Sequence, residues 1–227
     1  MTDHYTDELF VSTDNLNESA VIFPVSRVFV DPERFRDDSQ EIMSQKGMGV
    51  VYTHSHEGTL IRKELTIKER LWLLSELYEP HHERLETMVG DRLKTGNKCL
   101  IVDCHSFPDK ALPYEFDQSA DRPDICIGTD EFHTPQWLAH QIADWFESFG
   151  FTTAMNKPFT GALVPAKYYM SDKRVFSVLI EVNKKLYMDE DRVRKSENFT
   201  KVQQTIRRVL ESLQYGISKQ CTNINNH

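Results

Sequence analysis

"KCLIVD" (98–103) is a short apolar run that ends in an acid, and it is the strongest indication of the fold class in this sequence. Apolar and polar residues do not alternate in it, which is typical of a strand covered on both faces, as in a parallel sheet. "DICIGT" (124–129) is a second run of this kind. The two runs predict a buried sheet in the middle of the chain.

Helical patterns and further strand patterns surround these two runs. Helices are predicted over 66–93, 134–150 and 197–214, and further strands over 20–30, 47–54, 151–155 and 175–182. Thr66 and Glu69 have the spacing of a capping box, and Pro80 should kink or divide the first helix. The alternation predicts an α/β fold, a single domain with a mixed, mostly parallel sheet flanked by helices on both faces.

Composition narrows the class of protein. The chain has 227 residues, 39% of them hydrophobic, and a formal net charge of -8. This suits one core, so we expect one domain over 1–217 and a polar tail over 218–227. The acidic balance argues against nucleic acid as a partner, and no apolar run is long enough to span a membrane. Because the four cysteines show no CxxC spacing and the first residues do not resemble a signal peptide, a cytoplasmic location is expected.

Polar residues collect where the predicted strands end. Asp103, His105 and Ser106 follow the "CLIV" strand, and Glu181 directly follows "SVLI". Ligands of open α/β sheets bind beyond the carboxyl ends of strands, so parallel strands would bring these groups to one rim. The same reasoning extends to other polar residues near strand ends: Ser26, Arg27, Thr129, Asp130, Asn156, Lys157 and Asn183. A hydrogen-bonded structural role stays open for each, although Glu181 is costly to bury without a partner.

Two chemistries are compatible with this rim. Zinc hydrolases use three His or carboxylate ligands and a nearby carboxylate as general base, so His105 and Glu181 have suitable side chains. Asp103 is a candidate for orienting His105. A thiol nucleophile at Cys104 is the rival. Adjacent residues of a strand point to opposite faces, so Cys104 is expected to pack in the core instead.

Six motifs resemble those of the N-formylglutamate amidohydrolase family, and the resemblance covers residues 2–215. The motifs are "FPVSRVFVDPERF", "YEPHHERL", "DCHSFP", "PDICIGT", "NKPFTGALVP" and "IEVNKKLYMDE". The resemblance implies a phosphorylase/hydrolase-like fold similar to that of zinc carboxypeptidases. It also implies Zn(2+), or another divalent metal, and hydrolysis of N-formyl-L-glutamate or a related N-acyl amino acid. In the family this reaction ends histidine degradation and gives formate and the free amino acid.

The same resemblance implies roles for individual residues. His105 resembles a zinc ligand, and Asp3 resembles the acidic ligand, with Asp7 as its rival. Glu181 resembles the carboxylate that activates water as a general base. The implied substrate contacts are Arg27, His82, Arg122 and Asn156, and for the last three a structural role is an equal alternative.

The beginning of the sequence departs from the family pattern. Family members open with a strand that ends in a "PHSG"-like motif, whose histidine is a further metal ligand. This sequence opens with "MTDHYTDELF" and contains no such motif. The N-terminal strand is therefore expected to be missing. The alternative hypothesis is a catalytically silent or truncated member that binds a ligand or a partner.

Overall fold

The structure is a computed structural model that describes residues 2–11 and 20–223, with side chains described as far as residue 213. It divides into two compact units. Unit 1 contains Thr2, Ala20–Met88 and Leu112–Gln118, and unit 2 contains 3–11, 89–111 and 119–223. The interpretation of 1–217 as one domain stays a prediction. Within the described residues, no helix has both the length and the apolar character needed to cross a membrane.

Unit 2 is built on a four-stranded sheet. Its strands, in spatial order, are β1 (Cys99–Phe107), β4 (Val175–Asn183), β2 (Ile125–Gly128) and β3 (Thr153–Met155). β1 and β4 are parallel, as are β2 and β3, whereas β2 and β4 are antiparallel. The predicted mixed, mostly parallel sheet flanked by helices is thus confirmed, whereas helices on both of its faces stay a prediction. Two short strands, β5 (Met188–Asp189) and β6 (Arg194–Lys195), form a separate antiparallel pair.

Three helices pack against one face of this sheet. They are α1 (Thr6–Phe10), α4 (Gln136–Ser148) and α5 (Phe199–Asn223). The predicted apolar face of α5 is buried in this core: Phe199, Val202, Ile206, Val209 and Leu213. Cys104 also packs against this core, as predicted. Because α5 continues to Asn223, most of the expected tail is helical, and 224–227 lie outside the described residues.

Unit 1 contains helices and irregular chain. Its elements are a 3-10 helix (Ile42–Lys46), α2 (Ile67–Leu73), a π-helical turn (Leu74–Tyr78) and the first part of α3 (Glu79–Thr95). The prediction of strands over 20–30 and 47–54 was wrong. Pro24 lacks the amide that a strand needs, and Val30, Val50 and Val51 of these runs are buried instead in a small cluster with α2 and the π-helical turn.

The first helix is not divided at Pro80 but contains a π-helical turn just before it. The capping box is confirmed, because Thr66 Oγ1 accepts from the amide of Glu69 and the Glu69 carboxylate accepts from the amide of Thr66. Pro80 lies at the second residue of α3, immediately after the π-helical turn. Since proline lacks an amide donor and crowds the preceding turn, it accounts for the π-helical turn before it, but the chain stays helical from Ile67 to Thr95.

Candidate functional site

The strand register of unit 2 places His105 and Glu181 side by side. They are paired residues of the parallel strands β1 and β4, so their side chains leave the same face of the sheet about 5 Å apart at the Cβ atoms. This is the face opposite the helical core, because the alternate residues Val178, Ile180 and Val182 point into that core. Glu181 is buried, with 8% of its surface exposed.

Asp103 orients the His105 ring. It lies two residues before His105 on the same face of β1, and its Oδ1 is 2.9 Å from His105 Nε2. Its Oδ2 accepts from the amide of Leu163 at 3.1 Å. Because a carboxylate only accepts, Nε2 is the nitrogen that carries the proton in the neutral form of the His105 ring. Nδ1 is then the nitrogen with a lone pair to offer a metal ion.

Asp3 lies on the Nδ1 side of the ring. Its Oδ2 is 3.4 Å from His105 Nδ1, while its Oδ1 accepts from the backbone amide of Ser106 at 3.2 Å. Two donor atoms bound to one zinc ion at about 2.05 Å in tetrahedral geometry lie about 3.3 Å apart. The observed separation and the donor types therefore fit two neighbouring ligands of one ion. Asp7, the rival for the acidic ligand, lies in the first turn of α1.

Asp103 and His105 also belong to a group of ligand-type side chains whose donor atoms lie within 4.8 Å of one another. In such a group either residue could bind an ion directly. We assign Asp103 to ring orientation because both of its oxygens have donors, the ring and the Leu163 amide. The structure thus contains a candidate metal site, and the identity of the metal stays a prediction.

Two buried groups that the sequence did not single out lie near Glu181. Cys126 of β2 is its antiparallel register partner, and burial raises the pKa of the Cys126 thiol to about 12. Tyr187 donates its hydroxyl hydrogen bond to the carbonyl of His4 at 2.9 Å. Burial raises its pKa, and the negative charges of Asp3 and Glu181 act in the same direction. Both groups are therefore neutral near pH 7. The clue to Tyr187 was its place in the "IEVNKKLYMDE" motif.

Arg122 and Asn156, two predicted substrate contacts, belong to unit 2. Arg122 is buried, and its guanidinium carbon lies 4.9 Å from the ring centroid of Phe107 and 5.6 Å from that of Phe159. Asn156 follows β3, at the far side of the sheet from β1, and its side chain is engaged with neighbouring loop residues. The strands β2 and β3 run antiparallel to β4, so their carboxyl ends lie at the opposite edge of the sheet from the carboxyl end of β4. The polar residues that follow β2 and β3 therefore do not lie beside Glu181. The prediction that all these strand ends meet at one rim was wrong for β2 and β3.

Arg27 and His82, the other two predicted substrate contacts, belong to unit 1. Arg27 Nε is 3.1 Å from Asp31 Oδ2, in an ion pair with a fully buried carboxylate. His82 Nε2 is 2.9 Å from the carbonyl of Pro32, and burial lowers its pKa. Each of these side chains therefore holds the turn that begins at Asp31. A contact with substrate stays a prediction for both.

The fold and this group of side chains define a class, an α/β protein with a histidine and carboxylates beside each other on one face of a mixed sheet. A family model for N-formylglutamate amidohydrolase matches residues 1–188. The chain belongs to the N-formylglutamate amidohydrolase family.

Solved structures support the fold. The crystal structure of N-formylglutamate amidohydrolase from Ralstonia eutropha JMP134 is similar with a TM-score of 0.71 and 22% identity, over 83% of this chain and 74% of that one. A gene product from Agrobacterium tumefaciens is similar with a TM-score of 0.56 and 20% identity, over 83% of this chain and 69% of that one. A search of curated proteins gave no match.

Proposed function

We propose that the protein is a metal-dependent amidohydrolase that cleaves N-formyl-L-glutamate, or a related N-acyl amino acid, into formate or another acid and the free amino acid. The observation that carries this proposal is the register of β1 and β4, which puts Glu181 beside His105 on one face of the sheet. Family membership supports the reaction class. The proposed ion is Zn(2+), with another divalent metal as the alternative.

His105 Nδ1 and Asp3 Oδ2 are the atoms of unit 2 proposed to hold the ion. Asp103 keeps the proton on His105 Nε2, so that Nδ1 can donate its lone pair. When bound, a divalent ion lowers the pKa of water and stabilises negative charge on a carbonyl oxygen. The remaining chemistry is assigned to side chains of the protein.

Glu181 is proposed as general base and then general acid. Its carboxylate accepts a proton from the water that attacks the formyl carbon, and the carbon–nitrogen bond then breaks. The same carboxyl group donates that proton to the departing amino nitrogen, so one water molecule is consumed. Burial of Glu181 keeps bulk water from competing for this proton. Arg122, also buried, is the proposed contact for a substrate carboxylate, since a guanidinium group can bind it through two hydrogen bonds.

The test is formate release by the purified full chain loaded with zinc. Glu181→Gln keeps the shape of the side chain and removes the base, so we expect activity on N-formyl-L-glutamate to fall by about 10²- to 10⁴-fold. Glu197→Gln changes an exposed carboxylate and is the matched control, expected to keep full activity. Activity on N-acetyl-L-glutamate tests whether the acyl group must be formyl, and activity on N-formyl-L-leucine tests whether the side chain must be that of glutamate.

Two results would contradict the proposal. One is a zinc-loaded chain that hydrolyses none of these N-acyl amino acids. The other is a Glu181→Gln variant as active as the control. Binding of N-formyl-L-glutamate without hydrolysis would favour the alternative of a silent family member.

A further inference from the structure

The loop at residues 156–163, "NKPFTGAL", lies over the same sheet face as the proposed site and contacts it through the backbone. The peptide groups of Leu163 make two of these contacts. Its amide donates to Asp103 Oδ2 at 3.1 Å, and its carbonyl accepts from Ser177 Oγ at 2.7 Å. Ser177 is fully buried and lies on β4, and Asp103 lies on β1, so Leu163 is hydrogen-bonded to two neighbouring strands of the sheet.

The other end of the loop is held by Asn156. Its Oδ1 accepts from the amide of Thr129 at 2.8 Å and from Thr160 Oγ1 at 3.0 Å, while its Nδ2 donates to Thr129 Oγ1 at 2.8 Å. The backbone of Asn156 has a φ of 55°, in the left-handed region that Asn adopts more readily than most residues. The side chain thus joins the end of β2 to the middle of the loop.

The loop also lies against the sheet between these two ends. Cys126 Sγ donates to the carbonyl of Phe159 at 3.2 Å. A Cβ atom built on Gly128 would lie 2.5 Å from the carbonyl oxygen of Gly161, so this strand residue must be glycine for the loop to come so close. Loop and sheet are therefore in contact along the whole length from Asn156 to Leu163.

We propose that the 156–163 loop is a positioning element for the His105 site, and that Asn156 and Ser177 are positioning residues that act through Leu163. The Leu163 amide fixes Asp103 Oδ2, which turns Oδ1 toward His105 Nε2. The ring is thereby held in the tautomer that leaves Nδ1 available. This inference rests on the proposed metal-dependent function. It gives Asn156 a role at the metal site in place of the predicted contact with substrate.

Three variants and one control test the proposal. Asn156→Gly removes the side-chain hydrogen bonds and tolerates the left-handed backbone, whereas Asn156→Asp keeps the acceptor oxygens. Ser177→Ala removes the hydroxyl that holds the Leu163 carbonyl. Lys157→Ala alters an exposed side chain of the same loop and is the matched control.

The first measurement is the tautomer of His105 in the metal-free full chain at pH 8, by ¹⁵N NMR, with the signal assigned through His105→Asn. We expect Nε2–H in the wild type, in Asn156→Asp and in Lys157→Ala. We expect a mixture with Nδ1–H in Asn156→Gly and Ser177→Ala. The second measurement is zinc affinity by competition with a chromophoric chelator, which should weaken by about tenfold in the latter two variants only.

Neither measurement needs catalysis, so the proposal can be judged on a chain that fails to hydrolyse N-formyl-L-glutamate. Nδ1–H in the wild type would overturn it. The proposal would also be overturned if the folded Ser177→Ala variant had the same His105 tautomer and the same zinc affinity as the wild type. This variant provides the test if Asn156→Gly does not fold. A raised KM in Asn156→Gly with unchanged zinc affinity would return Asn156 to the role of a substrate contact.

Discussion

Asp31 shows how unit 1 buries a single carboxylate. It has no exposed surface, and its oxygens contact Arg27 at 3.1 Å, Arg34 at 3.6 Å and the hydroxyl of Tyr52 at 2.6 Å. Burial alone would raise the pKa of Asp31, but the two arginines and the tyrosine outweigh it, and the pKa is lowered. The ionised form is therefore the one that unit 1 stabilises.

This arrangement predicts a pH-dependent stability. A carboxyl group whose pKa is lowered by folding stabilises the protein above its ordinary pKa of 3.8 and loses that effect as the pH falls through the native pKa. We expect Asp31→Asn to lower the free energy of unfolding by about 3 kcal/mol at pH 7, because two half-buried arginines lose their buried charge partner.

The measurement is urea unfolding between pH 3 and 7. The difference between wild type and Asp31→Asn should shrink below pH 3.8. Glu57→Gln, at an exposed carboxylate of unit 1, is the control and should unfold like the wild type. A difference that does not vary with pH would show that shape, rather than charge, is what Asp31 contributes.

At the scale of elements, helix α5 supplies one wall of the core in unit 2. Its buried residues recur at helical spacing, and Ile206, in the middle, is 1% exposed. The stability of α5 therefore comes from the burial of its apolar side chains against the sheet rather than from helix propensity.

Truncating Ile206 should show how much the packing of α5 contributes to the free energy of unfolding. We expect Ile206→Ala to lower the free energy of unfolding by about 3 kcal/mol, through lost burial and the cavity left behind. Gln204→Ala, at an exposed position of the same helix, should change it by less than about 0.5 kcal/mol. Thermal or urea unfolding measures both, and equal losses would argue against α5 as a core helix.

Elements differ in how well the sequence predicts them. α5 was predictable from the helical spacing of its apolar residues, and β1 and β4 from their short apolar runs, because both patterns reflect burial within one element. The runs 20–30 and 47–54 have equally strand-like composition and are not strands. Strand formation needs a partner edge, and in unit 1 Val30, Val50 and Val51 pack in a cluster with Leu73 and Leu74 instead.

At the scale of the whole molecule, metal binding should appear as added stability. A ligand that binds only the folded state stabilises it by about 2.7 kcal/mol at one hundred times its Kd. For a chain of this size that corresponds to a rise in Tm of about 5–10 °C. We expect Zn(2+) to raise the Tm of the full chain and a chelator to reverse the rise.

The rise should depend on the proposed ligand. His105→Ala should remove it, whereas His140→Ala, which changes an exposed histidine of α4, should keep it. Differential scanning calorimetry of the metal-free and zinc-loaded chains measures the effect. An undiminished rise in His105→Ala would place zinc elsewhere in the molecule.

Local sequence patterns were enough to predict the strands β1 and β4, the helical face of α5, the capping box and the residue types at the end of "CLIV", because each depends on residues close together in the chain. Its six motifs also identified the family. The folded chain was needed to show that β2 runs against β4, that Glu181 pairs with His105 across two strands, and that Asp3 reaches the His105 ring. These facts depend on contacts between distant parts of the chain, for which local pattern carries no signal. The Leu163 amide is the clearest case. Its backbone N–H donates to Asp103, and because every residue except proline has such a group, the identity of residue 163 does not predict the hydrogen bond.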